Sequence, residues 1–177
     1  MGSRSRKLAS EWKDWLAAEG GKLLMYARQR TGSMEDAEDV LQDALARLWG
    51  YQEERDYRPP DLALAYSVVR MCGLDWGRKQ GRREKKHRKI IELHTYEDHW
   101  LDRGAEDDEE AQLLREAVKV LSEKLREVVT MKVWGGLTFA QIADVLKISQ
   151  NTAASRYRYA LEQLEKQLRH LKEARHG

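Results

Sequence analysis

The stretch from Leu137 to Leu164, LTFAQIADVLKISQNTAASRYRYALEQL, constrains this chain most, because it reads as two helices joined by a tight turn, the second studded with Arg and Tyr. Thr138 is placed to cap the first helix and Gln141 to reach back to it, while Phe139, Ile142, Ala143 and Leu146 follow the spacing of one buried stripe. Lys147 and Ile148 form the turn. Ser149 caps the second helix, on which Ala153, Tyr157, Ala160 and Leu161 face inward and Gln150, Asn151, Ser155, Arg156 and Arg158 outward. Such a helix can lie in a DNA major groove with its N-terminal residues at the base edges. A helical hairpin inside an ordinary bundle is the competing reading of this segment alone.

The rest of the chain agrees with an all-α protein. Two prolines and one Phe stand against abundant Leu, Ala, Glu, Lys and Arg in 177 residues. The single Cys72 excludes a disulfide framework and a Cys-rich zinc site. No stretch approaches the roughly 20 apolar residues of a membrane span, and MGSRSRK at the start has no apolar run behind it. The cytoplasm is the expected location.

A net charge of +2 conceals two opposed blocks. Between Trp76 and Lys89 lie Arg78, Lys79, Arg82, Arg83, Lys85, Lys86, Arg88 and Lys89 against Glu84 alone. From Glu97 to Glu110 the balance reverses, with Arg103 as the lone base among acids. The basic block follows directly on an apolar helix, which points to a polyanion such as nucleic acid. The acidic block loses the apolar period and reads as a linker over residues 91–111. It separates a helical unit over residues 9–90, with turns at Gly20-Gly21, Thr31-Gly32-Ser33 and Arg58-Pro59-Pro60-Asp61, from a second over residues 112–174, broken at Ser122, Gly135-Gly136 and Lys147.

In the first unit the clearest helix runs from Met34 to Trp49, capped by Ser33, with Ala37, Val40, Leu41, Ala44, Leu45 and Leu48 inward. Asp39, Gln42 and Asp43 share its polar face, with Trp49 further along. Adjacent acids add nothing to helix stability, but an exposed acidic and amide patch beside an aromatic can dock a basic partner helix. The next helix, from Leu62 to about Arg83, buries Leu64, Ala65, Val68, Val69, Cys72 and Trp76, and Arg70, Arg78, Lys79, Arg82 and Arg83 emerge towards its far end. Before it, Tyr51, Tyr57 and Arg58 lie in a loop, where aromatic faces and a cation can hold an unstacked base.

Taken in order, these segments resemble the extracytoplasmic-function sigma factors of bacterial RNA polymerase. DAEDVLQDALARLW (Asp36 to Trp49) looks like region 2.2, and the resemblance implies that Asp39, Gln42, Asp43 and Trp49 dock on the clamp helices of the polymerase β′ subunit. AYSVVRMCGLDWGRKQGRR (Ala65 to Arg83) is similar to regions 2.3 and 2.4, with Asp75 and Arg78 keeping the spacing D-x-x-R. This implies a −10 role for Tyr51, Tyr57, Arg58, Arg70, Arg78, Lys79, Arg82 and Arg83. Leu121 to Leu164 looks like region 4, whose −35 contacts would fall on Gln150, Asn151, Thr152, Ser155, Arg156 and Arg158. Departures from the pattern are Met71 in place of Asn, Ser122 in place of Pro, Lys147 in place of the turn Gly, and Ala154 in place of a basic residue. Beyond Leu164, Leu168 and Leu171 continue the helix, more in keeping with cover for its own core than with a regulator's seat.

No catalytic residue, metal site or cofactor is expected. His87, His94, His99, His170 and His176 lie in charged or linker segments with no H-x-x-x-H, and Gly20-Gly21 and Gly135-Gly136 follow helices rather than strands, unlike a phosphate loop. The expectation is an all-α, two-domain sigma factor whose partners are core RNA polymerase and promoter DNA, with an anti-sigma factor or other regulator as a further partner. The alternative is a stand-alone helix-turn-helix regulator acting as a dimer.

Overall fold

The computed structural model of the chain describes residues 2–86 and 109–176. The chain divides into two compact units, Met1–Asp98 and His99–Gly177. Residues 91–108 of the expected acidic linker, with His87, His94 and His99, lie outside the described residues, as do the side chains of Arg82, Arg83 and His176. Among the described residues every regular element is a helix.

The first unit consists of α1 (Gly2–Arg28), α2 (Met34–Tyr51), a short 3-10 turn (Glu53–Arg55) and α3 (Leu62–Lys86), with all three helices packing on one another. The Ser33 hydroxyl accepts the Asp36 N–H and starts α2, and the Asp61 carboxylate accepts the Leu64 N–H at the head of α3. Ala37, Val40, Ala44 and Leu48 of α2 are buried as expected; Leu41 and Leu45 sit at the edge of the stripe and are half-buried. The core also holds Leu23, Tyr26 and Ala27 of α1 and Ala65, Tyr66, Val68 and Val69 of α3, each large side chain contributing about 1.5–3 kcal/mol on burial. Tyr26 and Tyr66 meet edge to face with centroids 5.0 Å apart, joining α1 to α3.

The expected turn at Gly20-Gly21 does not exist, because α1 passes straight through it. Two helical glycines cost about 1 kcal/mol each relative to Ala. Burying Trp12 on one side of them and Leu23, Tyr26 and Ala27 on the other outweighs that cost. Gly73 matters differently: a Cβ there would meet the Arg30 side chain at 3.0 Å, so α3 approaches the end of α1 only because this position has no side chain.

The second unit comprises α4 (Glu109–Lys119), α5 (Glu123–Val129), a π-helical turn (Thr130–Trp134), α6 (Phe139–Leu146) and α7 (Gln150–His176). Helix α4 thus begins within the segment read as linker. The π turn closes with the Gly135 N–H on the Thr130 carbonyl and the Leu137 N–H on that of Met131, both at 3.0 Å, and Gly136 takes a left-handed φ of 64°. Helix α7 packs on α4, α5 and α6; Leu164 is buried and Leu168 and Leu171 are half-buried.

Candidate functional site

In the second unit the helix-turn-helix is built from local capping. Thr138 and Gln141 form the reciprocal capping box of α6, Thr138 Oγ1 accepting the Gln141 N–H and Gln141 Oε1 accepting the Thr138 N–H. Lys147 ends α6 in the left-handed region at φ 56°, and the Ser149 hydroxyl accepts the Thr152 N–H at 3.0 Å to open α7. The turn therefore keeps the backbone of a glycine turn with a lysine in it. Ile142, Ala143, Val145 and Leu146 are buried, and Phe139 is half-buried, with the Lys132 ammonium 4.8 Å from its ring centroid.

On α7, Ala153 and Ala160 are fully buried and Tyr157 half-buried, with its ring 5.6 Å from that of Phe139. Leu161, expected inward, is 42% exposed. At 100° per residue it lies about 70° from the mean direction of Ala153, Tyr157, Ala160 and Leu164, so it falls off the packed stripe. Gln150, Asn151, Ser155 and Arg158 are exposed, whereas Thr152 and Arg156 are half-buried on one flank. Asn151, Ser155 and Arg158 share the outermost line, and Arg158 Nη2 reaches Ser155 Oγ at 3.4 Å.

In the first unit Asp39, Gln42 and Asp43 are exposed on α2, and Trp49, 45% exposed, lies nearly two turns beyond Gln42 and about 20° from it around the helix. Arg47, four residues after Asp43, turns to α3 and pairs with Asp75 at 3.6 Å; Arg78 takes the other oxygen of Asp75 at 3.3 Å. Cys72 lies beneath this group. Burial pushes its thiol pKa up, Asp43 and Asp75 add to the rise, and Arg47 and Lys79 oppose it. Tyr66, deeper in the core, is raised by burial first and by Glu19 second.

The −10 residues expected from sequence differ in exposure where their side chains are described. Arg78 and Lys79 are exposed towards the end of α3, whereas Arg70, two turns earlier, is half-buried. Tyr51 closes α2 rather than lying in the loop and is 53% exposed. Tyr57 is packed: its ring is 5.0 Å from that of Trp49 and its carbonyl accepts the Trp12 indole N–H at 2.6 Å. Trp12 and Arg47 were not legible as site residues, although Arg47 at i+4 from Asp43 was a detectable signal. Among the described residues no cluster of His, Cys, Asp and Glu is arranged to hold a metal, and no helix is long and apolar enough to cross a membrane.

A three-helix unit with an acidic outer row, followed by a helix-turn-helix unit, is the arrangement of a transcription initiation factor. The family models for sigma-70 region 2 and sigma-70 region 4 match residues 16–83 and 111–172, in that order. The ECF RNA polymerase sigma factor SigL of Mycobacterium tuberculosis is 31% identical over 154 residues, 84% of each chain. The RNA polymerase sigma-E factor of Streptomyces coelicolor is 29% identical over 161 residues, covering 89% of this chain and 86% of that one. Among solved structures, the sigma factor RpoE in complex with the anti-sigma factor NepR from Bartonella quintana superposes with a TM-score of 0.66 at 22% identity, over 89% of this chain and 96% of that one. CnrH in complex with the cytosolic domain of CnrY gives 0.58 at 18% identity, over 93% and 94%. The chain belongs to the sigma-70 family, among the ECF RNA polymerase sigma factors. It binds core RNA polymerase and directs promoter recognition and transcription initiation, and the stand-alone regulator is not favoured.

Proposed function

We propose that the two units divide this work by residue: Asp39, Gln42, Asp43 and Trp49 dock on the β′ clamp helices, the far end of α3 and the loop before it engage the −10 element, and the start of α7 reads the −35 element. The observation that carries this reading is the exposed line Asn151, Ser155 and Arg158 on a helix whose opposite side is buried, matched in the first unit by the exposed acidic line of α2. A groove-facing helix needs polar side chains directed outward from its first turns, and a docking helix needs a row of uncompensated charge. Arg78 and Lys79 supply the cations for phosphate, continued in sequence by Arg82 and Arg83.

In this reading residues 91–111 join two domains, 9–90 and 112–174. The chain carries no catalytic step of its own, polymerase supplying the chemistry, and it works in the cytoplasm. An anti-sigma factor is a further partner, by similarity to the complexes of RpoE and CnrH. A photo-crosslinker placed at Gln42 should join the chain to β′, and one at Asn151 should join it to −35 DNA within the holoenzyme. Crosslinks from Gln42 to DNA, or from Asn151 to polymerase alone, would overturn the division.

A further inference from the structure

The loop between α2 and α3 has a backbone that its own sequence does not favour. After the 3-10 turn, Asp56 and Tyr57 both adopt left-handed conformations, φ 55° and 57°, in consecutive residues that are not glycine. Asp enters this region more readily than most residues, but a Tyr beside it holds the conformation only when its surroundings over-determine it. One constraint is local, the Tyr57 N–H on the Gln52 carbonyl at 2.8 Å. The other comes from 45 residues away, where the Trp12 indole N–H donates to the Tyr57 carbonyl at 2.6 Å.

Trp12 also supports the loop through its ring. Its centroid lies 5.3 Å from that of Trp49, which in turn lies 5.0 Å from that of Tyr57, so one side chain of α1 touches both the backbone and the aromatic stack of the loop. Trp12 is itself buried. Beyond it, Lys7, Glu11 and Asp14 of α1 face Asp56, Arg58 and Pro59 across an open cleft of about 760 Å³. Residues 7–15 of α1 therefore wall the loop. They precede the residues matched by the region 2 family model, which begins at residue 16.

We infer that Trp12 is a positioning residue for −10 recognition, holding the Asp56-Tyr57 backbone so that Arg58 is presented in one orientation to the opened promoter strand. This rests on the proposed −10 role of the loop. Trp12→Phe keeps an aromatic ring against Trp49 and removes the N–H that fixes the carbonyl. In the holoenzyme, transcription from a library of −10 sequences should lose preference by about 3- to 10-fold at one or more base positions, the factor one neutral hydrogen bond carries. Affinity for core polymerase and the −35 preference should be retained.

A uniform drop in transcription across the library, with the ratios between sequences intact, would overturn the inference, because that is what a merely stabilising residue produces. Arg58→Ala is measured alongside. Preference changed by Arg58→Ala and not by Trp12→Phe overturns the role of Trp12 alone; preference changed by neither overturns the −10 role of the loop as well. Should Trp12→Phe fail to fold by circular dichroism, Asp56→Val, whose branched side chain disfavours the left-handed region, disturbs the same backbone from the loop side. The same loss of preference is expected from it, and intact ratios would overturn the inference.

Discussion

Arg47 on α2 and Asp75 on α3 meet with 3.6 Å between nitrogen and oxygen, and this pairing draws the one base within helical reach of Asp43 away to a neighbouring helix. Both groups are about two-fifths exposed, so the pair contributes about 0–1 kcal/mol to stability. Its consequence is arrangement: Asp39 and Asp43 keep their negative charge directed to solvent on the face proposed for polymerase.

Reversing those charges tests the face. The double variant Asp39→Lys, Asp43→Lys should fold with unchanged helical content, since both residues are exposed. Its affinity for core polymerase should fall by about 2–5 kcal/mol, the cost of breaking close charge pairs at an interface. Unaltered affinity in a fluorescence titration would contradict the docking assignment.

A different readout suits the basic end of α3. Neutralising Lys79 and Arg82 should reduce the dependence of promoter binding on salt, by about one in slope for each phosphate contact removed, as well as weaken binding. Open-complex formation with an unaltered slope would place both residues on a solvated face.

On α7, Arg156 and Arg158 point about 200° apart, and they sit in different surroundings, half-buried and exposed. Arg158, on the outermost line with Asn151 and Ser155, is placed for base edges, where one Arg gives about 1–3 kcal/mol of discrimination. Arg156, on the flank with Thr152, is placed for the backbone. Both alanine variants should lose −35-dependent transcription, with the order of preferred −35 sequences altered in one of them at most. Wild-type activity of both across a −35 library would contradict the docking of this helix.

The helix-turn-helix and the starts of α2 and α6 were legible because capping is local: Ser33 and Thr138 act within three residues of themselves. The run through Gly20-Gly21 was not, because its cause lies in the burial of Leu23, Tyr26 and Ala27 against other helices, which overrides propensity. Tyr57 read as an open loop aromatic for the same kind of reason; its ring and carbonyl are engaged by Trp49 and Trp12, partners that no local pattern reveals. Leu161 was misplaced because spacing alone does not say how wide the packed stripe of α7 is.

Lys147 offers a test of the turn itself. A non-glycine residue in the left-handed region costs about 1–2 kcal/mol, so Lys147→Gly should raise the stability of the second unit, by about 1 kcal/mol once the greater entropy of glycine in the unfolded chain is counted. Thr138→Ala should lower it by about 1 kcal/mol through loss of the cap. Denaturant melts of the full chain, followed by circular dichroism, measure both; a loss of stability in Lys147→Gly, or none in Thr138→Ala, would show that the turn is held by other contacts.

The most direct measurement is run-off transcription from promoter fragments selected from a random library, using core polymerase with and without this chain. Discrete transcripts should start at fixed sites only when both are present, and mutating either the −10 or the −35 segment of a selected fragment should abolish them. Absence of chain-dependent transcripts, together with specific binding of the chain alone to palindromic DNA, would contradict its action as a sigma factor.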